Sequence, residues 1–327
     1  MTTVLMTGAG GAAAPFMIDR LRKTGSRVLA ADMDQHAIGL YLADLGFVVP
    51  AGSSPDFLRV LRSICISEKV DVLVPLVDEE LIAALEIEKE GIIVILPKQE
   101  FVAICLDKLL LMQRLRAAGI YAPVTRLAST GLDEMRFPMV VKPRTGRGSR
   151  GVGIVSTEDE LTTFLNATSY ARNELIFQEY ITGPEFTVSV VVWRDGEVKD
   201  VVPKEIISKK GITHMAVTRR NHEIEKLCCK IQEHFRADGP FNVQLCIDEK
   251  SGKPYPFEIN PRFSTTISLT IAAGVDELGG LIALAVEGKE GAHFGGWKEG
   301  VVLLRKITDQ FVDEKEFLEH PIIMENN

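Results

Sequence analysis

The sequence predicts a chain in two styles, a doubly wound α/β domain followed by an α+β region of antiparallel strands and helices. Three observations predict it. Short β-branched runs alternate with helical patterns over residues 1–98, the spacing of a parallel sheet with crossover helices. Those runs are continuously apolar, as strands buried on both faces are. From Pro97 the pattern changes to a helix-rich stretch and then to strands separated by Gly and Pro. A chain of 327 residues suits two or three domains. The divisions predicted are 1–98, 99–180 with a helical lead-in, and 181–327.

Taken in order, residues 4–6, 28–31, 47–49, 72–74 and 92–95 read as the strands of the first domain. A helix over 106–118 leads into antiparallel strands at 139–142, 151–155, 175–180, 186–192 and 198–202. The segment 220–237 sets Ile224, Leu227, Cys228, Ile231 and Phe235 at helical spacing, so its cysteines read as core. The tail from about Glu314 is polar and reads as peripheral.

Composition excludes several classes of function. No apolar run approaches the ~18 residues of a membrane span. Thr2 and Thr3 precede the first apolar stretch without a basic segment, which reads as a first strand and not an export signal, so a cytoplasmic location is expected. A net charge of −8 disfavours non-specific binding to nucleic acid. The five cysteines are odd in number and form no C-x-x-C, and the six histidines stand singly, so neither a disulfide framework nor a zinc site is expected.

Three constellations carry chemistry. Gly8-Ala9-Gly10-Gly11-Ala12-Ala13 follows a strand and opens a helix, with Asp32 ending the next strand. This approximates a dinucleotide fingerprint, but a tight strand-to-helix turn in a Rossmann-like domain explains it better, because nothing downstream resembles a hydride-acceptor site. Val140-Val141-Lys142-Pro143 then runs into residues 144–153, which hold four glycines and three arginines. Exposed backbone N–H groups and guanidinium donors in such a loop suit phosphate oxygens. Lys142 immediately ahead of it points to a triphosphate clamp, although the spacing is not that of a P-loop. Finally, a hairpin centred near Ser251 sets Gln244 opposite Glu258 and Asn242 opposite Asn260. Alternation then gives Asn242, Gln244, Cys246, Glu258 and Asn260 one face, and Val243, Leu245, Phe257 and Ile259 the other. An oxygen-rich face of this kind suits magnesium beside a nucleotide.

With these pieces in order, the chain resembles the ATP-grasp superfamily, and within it the carbamoyl-phosphate-synthetase-like branch of carboxylate-amine ligases. The resemblance rests on Asp107-Lys108, on the Val-Val-Lys-Pro and Gly-Ser-Arg-Gly-Val segments at 140–152, and on Gln178-Glu179-Tyr180-Ile181 with Gly183-Pro184-Glu185. Asn242-Val243-Gln244 and Phe257-Glu258-Ile259-Asn260-Pro261-Arg262 complete it. It implies a Rossmann-like pre-ATP-grasp domain followed by a two-subdomain ATP-grasp fold. By resemblance, Lys108 and Lys142 contact ATP phosphates, and the loop holding Gly148, Ser149, Arg150 and Gly151 closes over the triphosphate. Backbone groups of Glu179 and Ile181 meet the adenine edge, and Glu185 accepts from the ribose hydroxyls. Glu258 bridges two magnesium ions, or manganese in their place, with Gln244 on one and Asn260 on the other. Arg262 stabilises the transferred phosphoryl group.

The implied reaction activates a small carboxylate as an acyl-phosphate and joins it to an amine, releasing ADP and phosphate. Such chemistry needs positioning and charge neutralisation and no Ser, Cys or His nucleophile. The resemblance implies small-molecule carboxylate and amine partners, neither nucleic acid nor membrane, and allows a homo-oligomer. Gln244 stands where most members carry an acid, and the chain holds one ATP-grasp unit without a tandem copy. Carboxyphosphate or carbamate chemistry in a split synthetase is one alternative. A nicotinamide-dependent oxidoreductase using Gly8, Gly10 and Asp32 is another. The basic stretch 204–221, with Lys209, Lys210, His214, Arg219 and Arg220, reads either as the place for carboxylate recognition or as an exposed loop.

Overall fold

The computed structural model describes residues 1–133, 135–288 and 294–324. The first sheet is wholly parallel and takes β1 (Thr3–Thr7), β2 (Arg27–Asp32), β3 (Leu45–Val48), β4 (Val72–Val74) and β5 (Ile93–Val94). All five residues of β1 are buried, as the unbroken apolar run requires of a central strand covered on both faces. The helix Ala14–Lys23 has a proline in its first turn, where the missing N–H costs nothing, and Arg20, Arg22 and Lys23 in its last, where they complement the helix dipole. It buries Ala14, Met17, Ile18 and Leu21, one stripe at helical spacing.

A second sheet of four strands follows, formed by β6 (Thr125–Leu127), β7 (Met139–Pro143), β8 (Gly153–Val155) and β9 (Leu175–Glu179) in the order β6-β9-β7-β8. The third takes β10 (Glu185–Val192), β11 (Val198–Lys210), β12 (Ile212–Thr218), β13 (Phe241–Ile247), β14 (Pro254–Asn260) and β15 (Val302–Leu304), in the order β14-β13-β10-β11-β12-β15. Both are antiparallel. The mixed fold is therefore the one expected, a parallel domain ahead of antiparallel sheets.

Phe101, Leu111, Leu115, Val188, Val190, Ile224, Cys228, Ile231 and Phe241 share one core between helices and the third sheet. The first domain joins a different core, in which Val4, Met17 and Leu21 meet Phe263, Ile267, Leu278 and Leu281. Arg20 seals that contact through a 2.6 Å ion pair with Asp276. The parallel domain is thus packed against the far end of the chain.

Several expectations need correction. A strand β16 (Ile322–Met324) pairs in parallel with β3, so the tail, largely exposed as expected of a peripheral segment, is also the edge of the first sheet, which was not expected. Phe317 stacks on Tyr41 with ring centroids 4.9 Å apart, and the His320 ring nitrogen lies 2.9 Å from the Leu40 carbonyl oxygen. β8 starts two residues later than predicted because Gly151, at φ +67°, still belongs to the preceding loop. β11 runs on to Lys210, so residues 204–218 are mostly hairpin and not loop. Cys229, expected in the core, is exposed on its helix, while Cys228 beside it is buried.

Candidate active site

One cavity of about 800 Å³ opens among the three sheets. Lys108, Lys142, Gly148, Ser149, Arg150, Glu179, Ile181, Glu185, Gln244, Glu258, Asn260 and Arg262 all line it. Of the residues that the resemblance assigns to the site, only Gly151 does not. A side chain there would meet Tyr170 and Pro143, so this glycine serves the packing of the loop.

Each wall has a local cause. Asp107 caps the helix Lys108–Ala117 by accepting from the Leu109 and Leu110 N–H groups at 3.1 Å each, and its two oxygens also take Arg144 at 2.9 and 2.6 Å. Burial works to raise this carboxyl, yet the bonds from Arg144 and the backbone hold it below the ordinary carboxylate range. The cap fixes where Lys108 begins, and Lys108 Nζ donates to the Gly146 carbonyl at 2.6 Å. Lys142, near the end of β7, is 5% exposed and donates to the Phe257 carbonyl at 3.2 Å. Burial pushes its ammonium down to about 8, against the pull of nearby Glu258.

The hairpin β13–β14 carries the expected pairs, Asn242 opposite Asn260 and Gln244 opposite Glu258. Beyond Gln244 the register shifts, so that Leu245 faces Pro256 and Phe257 falls in a bulge. Phe257, expected on the packed face, instead lines the cavity with its ring 5.5 Å from the Lys142 ammonium. Asn242 is 2% exposed, and its carbonyl oxygen accepts from the Thr187 hydroxyl at 3.0 Å. Its amide nitrogen is buried without a partner among the described residues, a donor left over on the cavity wall. Glu185, expected to accept from a ribose, here pairs with Lys209 at 2.8 Å.

From the basic stretch only Lys209 of the five named residues reaches the cavity. Arg219 pairs with Glu205 at 3.0 Å, and Arg220 lies 4.2 Å from the Trp297 ring centre. Lys204 is fully buried on the core side, donating to Ser189 and Thr270 hydroxyls at 2.7 Å each. The N-terminal turn does reach the cavity, through Gly8, Gly10 and Gly11. Its Gly10 N–H, however, donates to Asp32 at 2.7 Å, so the acid expected to hold a ribose already braces its own turn.

Asp78 and Glu79, absent from the predicted set, meet the site as well. Arg262 Nε donates to Asp78 at 2.7 Å and Arg147 Nε to Glu79 at 2.8 Å. One signal in the sequence could have found them, since ligands of parallel sheets bind beyond the carboxyl ends of strands and these acids closely follow β4.

With this geometry in view, comparison with known proteins is direct. Residues 105–266 match an ATP-grasp domain model and residues 4–95 a PylC-like N-terminal domain model. The carbamoyl-phosphate synthase of Methanobrevibacter smithii is 25% identical over 289 residues, 81% of this chain and 76% of that protein. D-alanine--D-alanine ligase A of Bacillus cereus is 35% identical over 107 residues, 31% of this chain and 35% of the ligase. Among solved structures, the biotin carboxylase domain dimer of Hydrogenobacter thermophilus 2-oxoglutarate carboxylase, in complex with MgADP, ADP and bicarbonate, superposes with a TM-score of 0.71 at 20% identity, covering 88% of this chain and 70% of that one. Two adjoining family matches, relatives of both kinds and one shared cavity agree: the chain belongs to the ATP-grasp superfamily, as an ADP-forming carbon–nitrogen ligase of its carbamoyl-phosphate-synthase-like branch.

Proposed function

We propose that the enzyme activates a small carboxylate as an acyl-phosphate and passes the acyl group to an amine. The observation carrying this reading is the convergence on one cavity of two buried lysines, an arginine and the Gln244, Glu258, Asn260 oxygen set. Among the described residues no three His, Cys, Asp or Glu side chains are placed to hold a metal ion. One carboxylate with two amide oxygens is nevertheless a fitting donor set for magnesium, a hard cation that keeps waters and substrate phosphates in its shell. Gln244, Glu258 and Asn260 hold it in this reading, and when bound it neutralises phosphate charge.

The chain's own groups do the rest. Lys108 and Lys142 take phosphate oxygens, and the loop 146–151 supplies backbone N–H groups over the triphosphate. Glu179 and Ile181 present backbone groups to the base, and Glu185 exchanges Lys209 for ribose hydroxyls. A carboxylate oxygen attacks the γ-phosphorus and ADP leaves. The amine then attacks the acyl carbon, phosphate departs and the amine loses a proton. Arg262 lies where negative charge gathers in the first step. The closed loop keeps water from the acyl-phosphate. Bicarbonate as the carboxylate is a second version of the same step, favoured by the match to carbamoyl-phosphate synthase over most of the chain.

A phosphate-release screen with ATP, magnesium and pools of amino acids and other small acids tests the reading. The expected result is acid-stimulated ADP formation that Glu258→Gln abolishes while the variant stays folded. Full ADP formation in Glu258→Gln, or no stimulation by any acid with or without amines, would overturn it.

A further inference from the structure

Arg262 and Arg147 are both gripped from the first domain by adjacent carboxylates on one turn. The short 3₁₀ turn Asp78–Glu80 follows β4. Glu80, 4% exposed, braces it by accepting from the Thr7 hydroxyl and from the Leu76 and Val77 N–H groups at 3.1 and 3.0 Å. Asp78 and Glu79 are then presented to residues 184 and 68 positions away in sequence.

The two grips differ in kind. Arg262 and Asp78 side chains are 14% and 13% exposed, so that pair is shielded and persistent. Arg147 and Glu79 are 37% and 40% exposed, so that pair is weak and open to exchange. Arg262 also donates through Nη1 to the Phe263 carbonyl at 3.2 Å and through Nη2 to Asn260 at 3.3 Å. A guanidinium has five N–H donors, so one on each Nη remains to meet an anion.

We infer that this turn is a positioning clasp. Asp78 fixes Arg262 with its free donors ready for the transferred phosphoryl group, and Glu79 holds the glycine-rich loop through Arg147 until a triphosphate takes that arginine over. The inference rests on the ATP-site reading given above, and it makes the first domain a working part of phosphoryl transfer. Asp78 and Glu79 act through arginines and touch no reacting atom.

The opposite signs expected for the two acids provide the test. Asp78→Asn should lower kcat for ADP formation by between about 10- and 100-fold, with KM for ATP held within about threefold. Asp78→Glu should recover part of that loss. Glu79→Gln removes a competitor for Arg147, so ATP should bind a few times more tightly, by calorimetry. In the nucleotide-free enzyme the same change should speed hydrogen exchange of amides 146–150, a readout that needs no turnover. A kcat of Asp78→Asn within twofold of the unaltered enzyme would overturn the role of Asp78. Unchanged loop exchange together with unchanged or weaker ATP binding in Glu79→Gln would overturn that of Glu79. Failure of the ATP site itself shows elsewhere, as full activity in Glu258→Gln.

Discussion

At the scale of single residues, burial sets the chemistry of two ionisable groups. Lys142 has its ammonium pushed down to about 8 because its charge is desolvated. At the proposed ATP site a triphosphate beside Lys142 would restore the charged form, so ATP binding at pH 8 should take up roughly half a proton, visible as a dependence of the calorimetric heat on buffer ionisation enthalpy. Lys142→Ala should abolish that uptake and cost ~1.5–3 kcal/mol, weakening ATP affinity about 10- to 150-fold. Unchanged affinity in the folded variant would refute the contact. Glu80 moves the other way, raised to about 7, chiefly by burial. The folded state therefore holds a proton that the unfolded chain releases near 4.5, and stability falls as pH rises from about 4.5 to about 7. From this group alone the loss approaches ~3 kcal/mol. Glu80→Gln should remove that slope, so its stability relative to the unaltered chain should improve between pH 5 and pH 7.5 in denaturant titrations. A parallel pair of pH profiles would count against the buried carboxyl.

Elements place these residues, and one cap does so most visibly. Asp107 both starts the helix Lys108–Ala117 and receives Arg144 from just beyond β7, so it joins two elements that each offer a lysine to the cavity. Asp107→Ala should cost about 1–2 kcal/mol of unfolding free energy and raise KM for ATP, since Lys108 loses its fixed starting point. Stability and KM both unchanged would show the cap to be dispensable. Much at this scale is legible in the sequence. The pairing of Gln244 with Glu258 is the one read from the sequence, although the bulge takes part in it, since the pairs nearer the turn, Ile247 with Pro254 and Cys246 with Tyr255, would without it set Gln244 opposite Phe257. The bulge that turns Phe257 into the cavity is not legible, since one extra residue in a strand leaves its composition unchanged. Asp78 and Glu79 are marked only by their place just after the carboxyl end of β4. An acidic tripeptide after a strand reads as solvated until the fold brings Arg262 to it across 184 positions.

For the molecule as a whole, the parallel domain is bound to the rest by the shared core around Phe263 and Leu278 and by β16 on its edge. Phe317 on Tyr41 fastens that edge, so Phe317→Ala should cost about 0.5–1.5 kcal/mol and speed hydrogen exchange in β3 before other strands. Uniform exchange across the first sheet would argue that the edge carries no weight. The polar residues around β16 hid this role, because Ile322–Met324 is an apolar run of only three residues. The pairing of Gly46 with Ile322 also has a temporal meaning. While the polypeptide emerges from the ribosome, β3 can find β2 early but must wait for the whole ATP-grasp region before its outer side is covered. During that interval it presents an open hydrogen-bonding edge, the kind of surface on which nascent chains pair wrongly and to which chaperones attach.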